Sequence, residues 1–272
     1  MSETDHLLVD VSNGVMTLTM NRPDAMNSIS PEMAIRMADA WVRFRDDNSL
    51  RCAIVTGAGS DAFCTGADLK LLAPLMTGAR SPENDWDAQL VERGFMPVAE
   101  MILRNFELHK PVIAAVNGAA HGGGTEMIQA MDLRVAAETA EFCLPEVKRG
   151  LVPGGGSITR LPRQIPWAIA AEIMLVGDPI TPRRAYEIGL VNRVVAPEDL
   201  LDTARDLADR IAANGPLAVR KVKEGMIRGS GLTLDESMQI EGELSVEVFA
   251  SKDAREGPRA FKEKRKPIFT GT

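Results

Sequence analysis

Two glutamates, Glu126 and Glu146, have the residue type and setting that acid–base catalysis requires. Glu126 closes a glycine-rich run over residues 118–126 (GAAHGGGTE), and the apolar spacing after it predicts a helix whose first turn holds Gly123 and Glu126. The start of a helix presents free N–H donors and partial positive charge, so this turn suits a developing oxyanion and is expected to keep Glu126 ionised. In the alternative interpretation, Glu126 merely complements the helix dipole.

Glu146 follows Pro145 in an otherwise apolar, strand-like run over residues 142–147 (FCLPEV). Apolar neighbours on both sides predict partial desolvation, which raises the pKa of a carboxyl group and favours a proton-donor role. Glu126 and Glu146 in differently biased environments form an acid–base pair in outline. Alternatively, Glu146 forms a structural ion pair with Lys148 or Arg149.

Two glycine-rich turns, residues 57–68 (GAGSDAFCTGAD) and 118–126, each follow an apolar, β-prone run. Both can bring backbone N–H groups close to a ligand, because glycine has no Cβ. Neither carries a nucleotide-binding motif: Ala62 stands at the third glycine of G-x-G-x-x-G, and Gly124-Thr125 stands where a P-loop requires Lys-Ser/Thr. Plain turn chemistry is the alternative for both loops.

Several function classes are disfavoured by composition and motifs. The 31 basic and 38 acidic residues give a net charge of -7, which argues against binding a nucleic acid. No G-x-S-x-G run exists, so a serine hydrolase is not expected, and His6, His109 and His121 are too scattered to predict a metal site. Three widely spaced cysteines, a polar N-terminus and the lack of a membrane-length apolar run predict a soluble cytoplasmic protein with no membrane partner.

Strands alternating with helices predict an α/β fold. Asn13-Gly14 between two β-prone runs predicts a hairpin over residues 7–20. Ser30 is expected to cap a helix that continues through Arg45.

The second half of the chain has a different character. Residues 71–108 are irregular in pattern and are expected to form a variable pocket wall. Beyond Gly150, helix-length apolar periodicity dominates. A soft boundary near Ala196 divides a predicted core and ligand site, residues 1–196, from a helical region, residues 197–272.

Taken together, these residues resemble the crotonase superfamily, also called the enoyl-CoA hydratase/isomerase family. The similarity runs nearly from end to end, and the order and spacing of its motifs are specific. Those motifs are Arg22-Pro23 to Asn27-Ser28, 63–70 (FCTGADLK), 110–118 (KPVIAAVNG), 122–126, Leu144-Pro145-Glu146, 150–156 (GLVPGGG), Arg160-Leu161-Pro162, Gly189-Leu190-Val191 and 256–265 (EGPRAFKEKR).

The resemblance implies a spiral of repeated ββα units, followed by C-terminal helices that mediate assembly into a trimer or a hexamer. It implies an acyl-CoA thioester as substrate, with coenzyme A as part of the substrate and no metal or other cofactor. The thioester oxygen would be held by the N–H groups of Ala67 and Gly123. Hydratases of the family use two glutamates, so Glu126 would act as base toward water and Glu146 as the acid that protonates the α-carbon.

The resemblance also implies contacts to coenzyme A. These involve Ala67, Asp68 and Lys70 and, from a neighbouring subunit, Phe261 and Lys264. They would account for the basic run over residues 252–266, whose seven basic and three acidic residues sum to +4. The alternatives are a solvated helical face for the run and trimer packing for Phe261.

Some residues depart from the usual hydratase pattern. His121 and Thr125 replace an apolar and a small residue, and residues 154–160 (GGGSITR) lack the frequent Gly-Thr-Gln before the arginine. The stretch over residues 145–162 is similar to carnitinyl-CoA dehydratases. The sequence therefore predicts an enoyl-CoA hydratase. The alternatives are another crotonase reaction, such as isomerisation or carnitinyl-CoA-type dehydration, and a non-catalytic acyl-CoA-binding protein.

Overall fold

The computed structural model describes residues 5–272. It opens with an antiparallel hairpin of β1 (Leu7–Ser12) and β2 (Val15–Met20). Asn13 and Gly14 at its tip both have positive φ, 51° and 75°. Two such residues form the turn whose twist matches that of the flanking strands, so the hairpin prediction is confirmed.

The other elements follow the predicted alternation of strands and helices. The remaining strands are β3 (Cys52–Gly57), β4 (Ala62–Cys64), β5 (Val112–Val116), β6 (Ala119–His121), β7 (Leu133–Ala137), β8 (Glu141–Cys143) and β9 (Arg193–Val195). The helices are α1 (Pro31–Asp46), α2 (Leu72–Met76), α3 (Asp85–Glu92), α4 (Met96–Met101), α5 (Gly123–Ile128), α6 (Ser157–Gln164), α7 (Trp167–Val176), α8 (Pro182–Glu187), α9 (Leu200–Ala212), α10 (Pro216–Gly229), α11 (Leu234–Ala250) and α12 (Asp253–Lys262).

Successive strand pairs divide between two sheets. β3, β5 and β7 join a six-stranded sheet of order β1-β2-β3-β5-β7-β9, whereas β4, β6 and β8 form a second sheet in that order. Apart from the opening hairpin, the pairs within both sheets are parallel. The chain thus repeats a strand–strand–helix unit that advances one strand at a time, and the expected α/β spiral is confirmed.

Helix α1 starts where the sequence predicted and ends one residue later. The Ser30 hydroxyl accepts a hydrogen bond from the N–H of Met33 at 3.1 Å, which supplies one of the unpaired donors of the first turn. Trp41, on the buried face of α1, donates its indole N–H to the carbonyl of Met101 at 3.0 Å. That bond ties α1 to the end of α4.

Residues 71–108 contain more regular structure than their pattern indicated. They form α2, α3 and α4, which have five, eight and six residues. Helices this short give too few turns for a 3.6-residue period to be recognised, and Pro74, Gly78 and Gly94 separate them. Their buried leucines and methionines join the core under α1.

The C-terminal third is helical, as predicted. Helix α9 packs Leu200, Ala204 and Ala208 against the six-stranded sheet. Helices α10 and α11 pack against each other, and α12 follows them. Within residues 5–272, none of the helices is both long enough and apolar enough to span a membrane.

Candidate active site

Two glycine loops meet at the ends of neighbouring parallel strands. β4 and β6 are paired, and the loops that follow them place Gly66 against Gly123. A Cβ built on Gly66 would lie 3.0 Å from the Gly123 nitrogen. Glycine at position 66 is required for a second reason, because its φ is +85°.

The N–H groups of Ala67 and Gly123 are both available at this junction. Ile29 bridges to Ala67 through the carbonyl of Gly66 and the N–H of Asp68, at 2.8 and 2.9 Å. In a parallel bridge of this kind, the N–H of the central residue points to the opposite side. Gly123 is the first residue of α5, where an N–H has no partner within its helix. Among the described residues, neither N–H donates to another group.

Asp68 holds the first of these loops. Its buried carboxylate accepts from Arg22 at 2.8 Å and from the N–H groups of Lys70 and Leu71 at 2.8 and 2.9 Å. Burial by itself would raise the pKa of Asp68, but these donors and the Arg22 charge hold it below the ordinary value. The carboxylate is thus occupied within the chain, and the backbone carbonyl of Asp68 accepts from the N–H groups of Leu72 and Ala73 at 3.0 and 2.9 Å.

Glu126 projects from α5 and is only 5% exposed. The N–H of Ser157 donates to its Oε1 at 3.2 Å. A Cβ on Gly155 would lie 2.6 Å from Oε2, so the glycine run before α6 forms one wall of this carboxylate's site. The predicted helix with Gly123 and Glu126 in its first turn is confirmed as α5.

Burial and hydrogen bonding act in opposite directions on the pKa of Glu126. Burial raises its pKa, although the N–H groups of residues 155–157 and the Ser157 hydroxyl oppose the rise. The field of the helix start is therefore not the only influence on Glu126, because the six residues of α5 provide a small dipole and the carboxylate has lost nearly all of its water.

Glu146 is not part of a strand. β8 ends at Cys143, and Glu146 begins a short 3-10 helix, Glu146–Arg149. Pro145 explains the difference, since it has no N–H to continue the ladder. The carboxyl group lies against Gly122: a Cβ there would be 3.1 Å from Oε1, and the φ of Gly122 is +53°.

The alternative ion pair of Glu146 does not form. Lys148 pairs with Asp178, and Arg149 donates to the carbonyl of Pro145 at 3.2 Å. Within the described part of the chain, the buried Oε2 of Glu146 has no hydrogen-bond partner. A buried carboxyl oxygen without a donor favours the protonated form, which itself can donate.

The charge of Glu126 acts on the carboxyl group of Glu146. Burial raises the pKa of Glu146 most, and the charge of Glu126 raises it further. Glu126 has N–H donors that favour the carboxylate, whereas Glu146 lacks donors on Oε2. This asymmetry suits a base at Glu126 and an acid at Glu146.

The predicted coenzyme A residues lie apart within one chain. Lys70 is exposed at the end of the Asp68 loop. Phe261, 88% exposed, and Lys264 lie at the end of α12 and just after it. Among residues 5–272, no hydrogen bond or ion pair joins either of them to Glu126 or Glu146, so their role remains a prediction that involves a second subunit.

The sequence patterns did not identify the polar residues that surround Glu126. Gln129 donates its side-chain amide to the Ser157 hydroxyl at 2.9 Å, and Arg160 bonds the carbonyls of Ile102 and Leu103. The only sequence signal was the altered run over residues 154–160. His121 pairs with Glu141 at 2.8 Å. The described residues contain no cluster of three or more side chains suited to a metal ion.

Comparison with known proteins decides the family. Residues 10–272 match the family described as enoyl-CoA hydratase/isomerase. The chain belongs to the enoyl-CoA hydratase/isomerase family. It is 41% identical to an enoyl-CoA hydratase of Mycobacterium tuberculosis over 262 residues, which cover 96% of this chain and 95% of that protein.

Two further members of the family are similar over their whole length. The chain is 41% identical to a carnitinyl-CoA dehydratase of Proteus mirabilis over 275 residues, covering 100% of both proteins. It is also similar to the crystal structure of an enoyl-CoA hydratase of Mycobacterium marinum, with a TM-score of 0.87 and 41% sequence identity. The match covers 99% of this chain and 100% of that one. The chain is therefore a crotonase-fold enzyme of the hydro-lyase type, as the sequence predicted, with hydratase/dehydratase-type activity toward acyl-CoA.

Proposed function

We propose that this enoyl-CoA hydratase/isomerase family member catalyses the reversible syn addition of water to a 2-enoyl-CoA thioester, with Glu126 as base and Glu146 as acid. The observation that carries the proposal is the asymmetry of two neighbouring carboxyl groups, Glu126, which is buried, and Glu146, which is half-buried. Donors from residues 155–157 favour the charged form of Glu126, and the partnerless Oε2 of Glu146 favours its neutral form.

The steps balance with these groups alone. Glu126 takes one proton from water as the water oxygen bonds to the β-carbon. The electron pair of the double bond moves toward the thioester oxygen, where the N–H groups of Ala67 and Gly123 stabilise the negative charge. Glu146 then delivers its proton to the α-carbon, and the thioester carbonyl re-forms. Transfer of a proton from Glu126 to Glu146 restores the starting state. Each proton transfer contributes about 10² to 10⁴ in rate, and the loss of one oxyanion donor costs about 3 to 4 kcal/mol.

The proposed reaction needs no metal or redox cofactor, because water, two carboxyl groups and two N–H donors account for every bond made and broken. Coenzyme A enters as part of the substrate. Ala67, Asp68 and Lys70 of one subunit and Phe261 and Lys264 of another are proposed to hold it. We propose the cytoplasm as the location, which suits the three buried free thiols Cys52, Cys64 and Cys143.

A trimer or hexamer is part of the proposal. Large apolar side chains on α10 to α12 are exposed in the single chain: Val222 64%, Met226 73%, Val246 70%, Phe249 77% and Phe261 88%. So many exposed apolar side chains on neighbouring helices favour burial between subunits. Sedimentation velocity is expected to give a species of three or six chains, and a monomer would contradict this part.

The reaction is tested by the loss of the 2-enoyl thioester absorbance. Purified protein is supplied with crotonyl-CoA, decenoyl-CoA and crotonobetainyl-CoA, whose acyl groups differ in length and polarity. We expect hydration of at least one of them, with Glu126→Gln and Glu146→Gln each lowering kcat by at least about 10². Glu141→Gln is the matched control, because this glutamate is partly exposed and paired with His121.

Binding of the same thioesters is measured separately by calorimetry. Hydration that survives both glutamate substitutions would overturn the assigned mechanism. Retained thioester binding without turnover of any substrate would favour an isomerase, another specialised reaction of the family or a binding protein.

A further inference from the structure

Two buried polar residues, Gln129 and Ser157, form a series of hydrogen bonds that leads to Glu126. Gln129 is 2% exposed and Ser157 is fully buried. The Gln129 Nε2 donates to the Ser157 Oγ at 2.9 Å, and the Ser157 N–H donates to Glu126 Oε1 at 3.2 Å. Ser157, at the start of α6, thereby connects Gln129 to Glu126 of α5: its hydroxyl accepts from Gln129 and its backbone N–H donates to Glu126.

The Gln129 amide donates to Ser157 through its Nε2, and its buried Oε1 has no hydrogen-bond partner among the described residues. Because the Ser157 oxygen accepts from Gln129, the Ser157 O–H proton is left to donate elsewhere. The Ser157 hydroxyl stabilises the charged form of Glu126, together with the backbone N–H groups of residues 155–157. Every bond in the chain thus points its hydrogen toward the Glu126 carboxylate.

Gln129 is itself held firmly in place. Its carbonyl accepts from Gln164 at 2.7 Å and from Arg134 at 3.3 Å, while Arg134 also bonds the carbonyls of Ile128 and Met131. These contacts anchor the backbone at the end of α5, so the amide is presented to Ser157 from a fixed position. A hydrogen bond between buried, ordered groups orients its acceptor as well as stabilising it.

We propose that Gln129 and Ser157 are positioning residues that hold the Glu126 carboxylate oriented and ionised for removing a proton from water. The proposal rests on the function proposed above and extends it to two residues that do not touch substrate. Glu126 works as a base in a site that has lost nearly all water, and this chain of donors offsets part of that loss.

Two other charged groups face Glu126, and the test must leave them unchanged. Glu146 approaches from the 3-10 helix Glu146–Arg149, and the charge of Glu126 raises the pKa of Glu146. Arg160 approaches from α6 and interacts with Glu126, while its guanidinium remains bonded to the carbonyls of Ile102 and Leu103. Substitutions at Ser157 and Gln129 remove no charge, so both groups are retained.

The experiment compares Ser157→Ala, Gln129→Met and the double variant. Ser157→Ala removes the hydroxyl but keeps the N–H that bonds Glu126. Thr159→Ala is the matched control, since it removes an exposed hydroxyl from the same helix. The readout is the pH profile of kcat/KM for the hydrated thioester, accompanied by melting temperatures.

We expect Ser157→Ala to move the acidic limb of the profile upward by about 1 to 2 pH units, the effect of losing one hydrogen bond to a charged group. Gln129→Met is expected to move it in the same direction by less, and the double variant no further than Ser157→Ala, because Gln129 acts through Ser157. Thr159→Ala should match the unmodified protein. An acidic limb that stays in place in Ser157→Ala would overturn the proposal, whatever the change in melting temperature.

A second measurement does not depend on turnover. The carbonyl stretch of the protonated Glu126 carboxyl is assigned in the infrared spectrum by its loss in Glu126→Gln and is followed across pH. In Ser157→Ala, this band should persist to higher pH than in the unmodified protein. If the protein hydrates no thioester but Ser157→Ala displaces the infrared titration, the proposed function is rejected and the positioning role of Gln129 and Ser157 is retained. If the infrared titration is not displaced, that positioning role is rejected.

Discussion

Gly66 and Gly123 approach so closely that a Cβ on Gly66 would lie 3.0 Å from the Gly123 nitrogen, and one on Gly123 would lie 3.3 Å from the Gly66 Cα. This contact brings together the two loops whose N–H groups, at Ala67 and Gly123, form the proposed oxyanion hole. Because both residues lack side chains, the space in front of the two donors stays open to a thioester oxygen.

The first prediction concerns this contact. Gly66→Ala is expected to lower kcat by about 10² to 10³, because the methyl group separates the loops and misplaces an oxyanion donor. The φ of Gly66 is +85°, so the substitution also strains the backbone. Gly78→Ala is the matched control: its φ is +75°, but a Cβ there would meet nothing within 4 Å.

Stopped-flow or steady-state hydration assays, with melting temperatures for both variants, separate these effects. Gly78→Ala should lose only about 1 kcal/mol of unfolding free energy and keep its kcat. Equal activity of Gly66→Ala and Gly78→Ala would show that the Gly66–Gly123 contact does not shape the hole.

The second prediction concerns the buried ion pair of Arg22 and Asp68, whose atoms are 2.8 Å apart. Asp68→Asn is expected to lower the free energy of unfolding by about 3 kcal/mol at neutral pH, because Arg22 is left without its counter-charge. The pKa of Asp68 is lowered in the folded protein, so its stabilising contribution is full above the unfolded value of about 3.9 and is lost as pH falls.

Urea unfolding at neutral and at acidic pH measures this difference. The deficit of Asp68→Asn should shrink on acidification, while Asp46→Asn, which removes an exposed pair with Arg45, should show little deficit at either pH. A deficit that is independent of pH would mean that the charge of Asp68 is not what stabilises the loop.

The third prediction concerns Glu146 and the stability of the fold. Burial and the charge of Glu126 raise its pKa, so the folded state binds this proton more tightly than the unfolded state. The favourable contribution is present below the unfolded value of about 4.3 and disappears as pH rises through the folded value. Glu146→Gln is therefore expected to melt at a higher temperature than the unmodified protein at pH 8, and the gain should vanish near pH 4.

Differential scanning calorimetry at the two pH values checks this. The exposed Glu138 provides a matched substitution, Glu138→Gln, that should change the melting temperature little. If Glu146→Gln were less stable than the unmodified protein at pH 8, the raised pKa of Glu146 would be contradicted.

The fourth prediction concerns the basic run over residues 252–266. Lys264→Ala is expected to weaken binding of an acyl-CoA several-fold at low ionic strength and less at high ionic strength, because salt screens an exposed charge. Lys262→Ala removes a neighbouring exposed lysine and serves as control. Calorimetric titration at two salt concentrations measures both, and equal affinities for the two variants would assign the run to a solvated helical face.

Much of the fold could be predicted because the signals are local. The turn at Asn13-Gly14 is set by two residues that accept positive φ, and the start of α1 is set by the hydroxyl of Ser30. The spiral of strand pairs and the two glutamates were recognised from motif order along the chain. For the turn and the helix start, neighbouring residues carry the information without help from distant ones.

Tertiary structure decided what the glutamates experience. Residues 155–157 reach Glu126 from about 30 positions along the chain, and only the packed fold removes its water and supplies those donors. Likewise, the contact of Glu146 with Gly122, its partnerless Oε2 and the donor chain from Gln129 through Ser157 join separate units of the spiral. The sequence by itself determined which residues could do chemistry. Their protonation depended on burial and long-range hydrogen bonds, which exist only once distant segments are packed together.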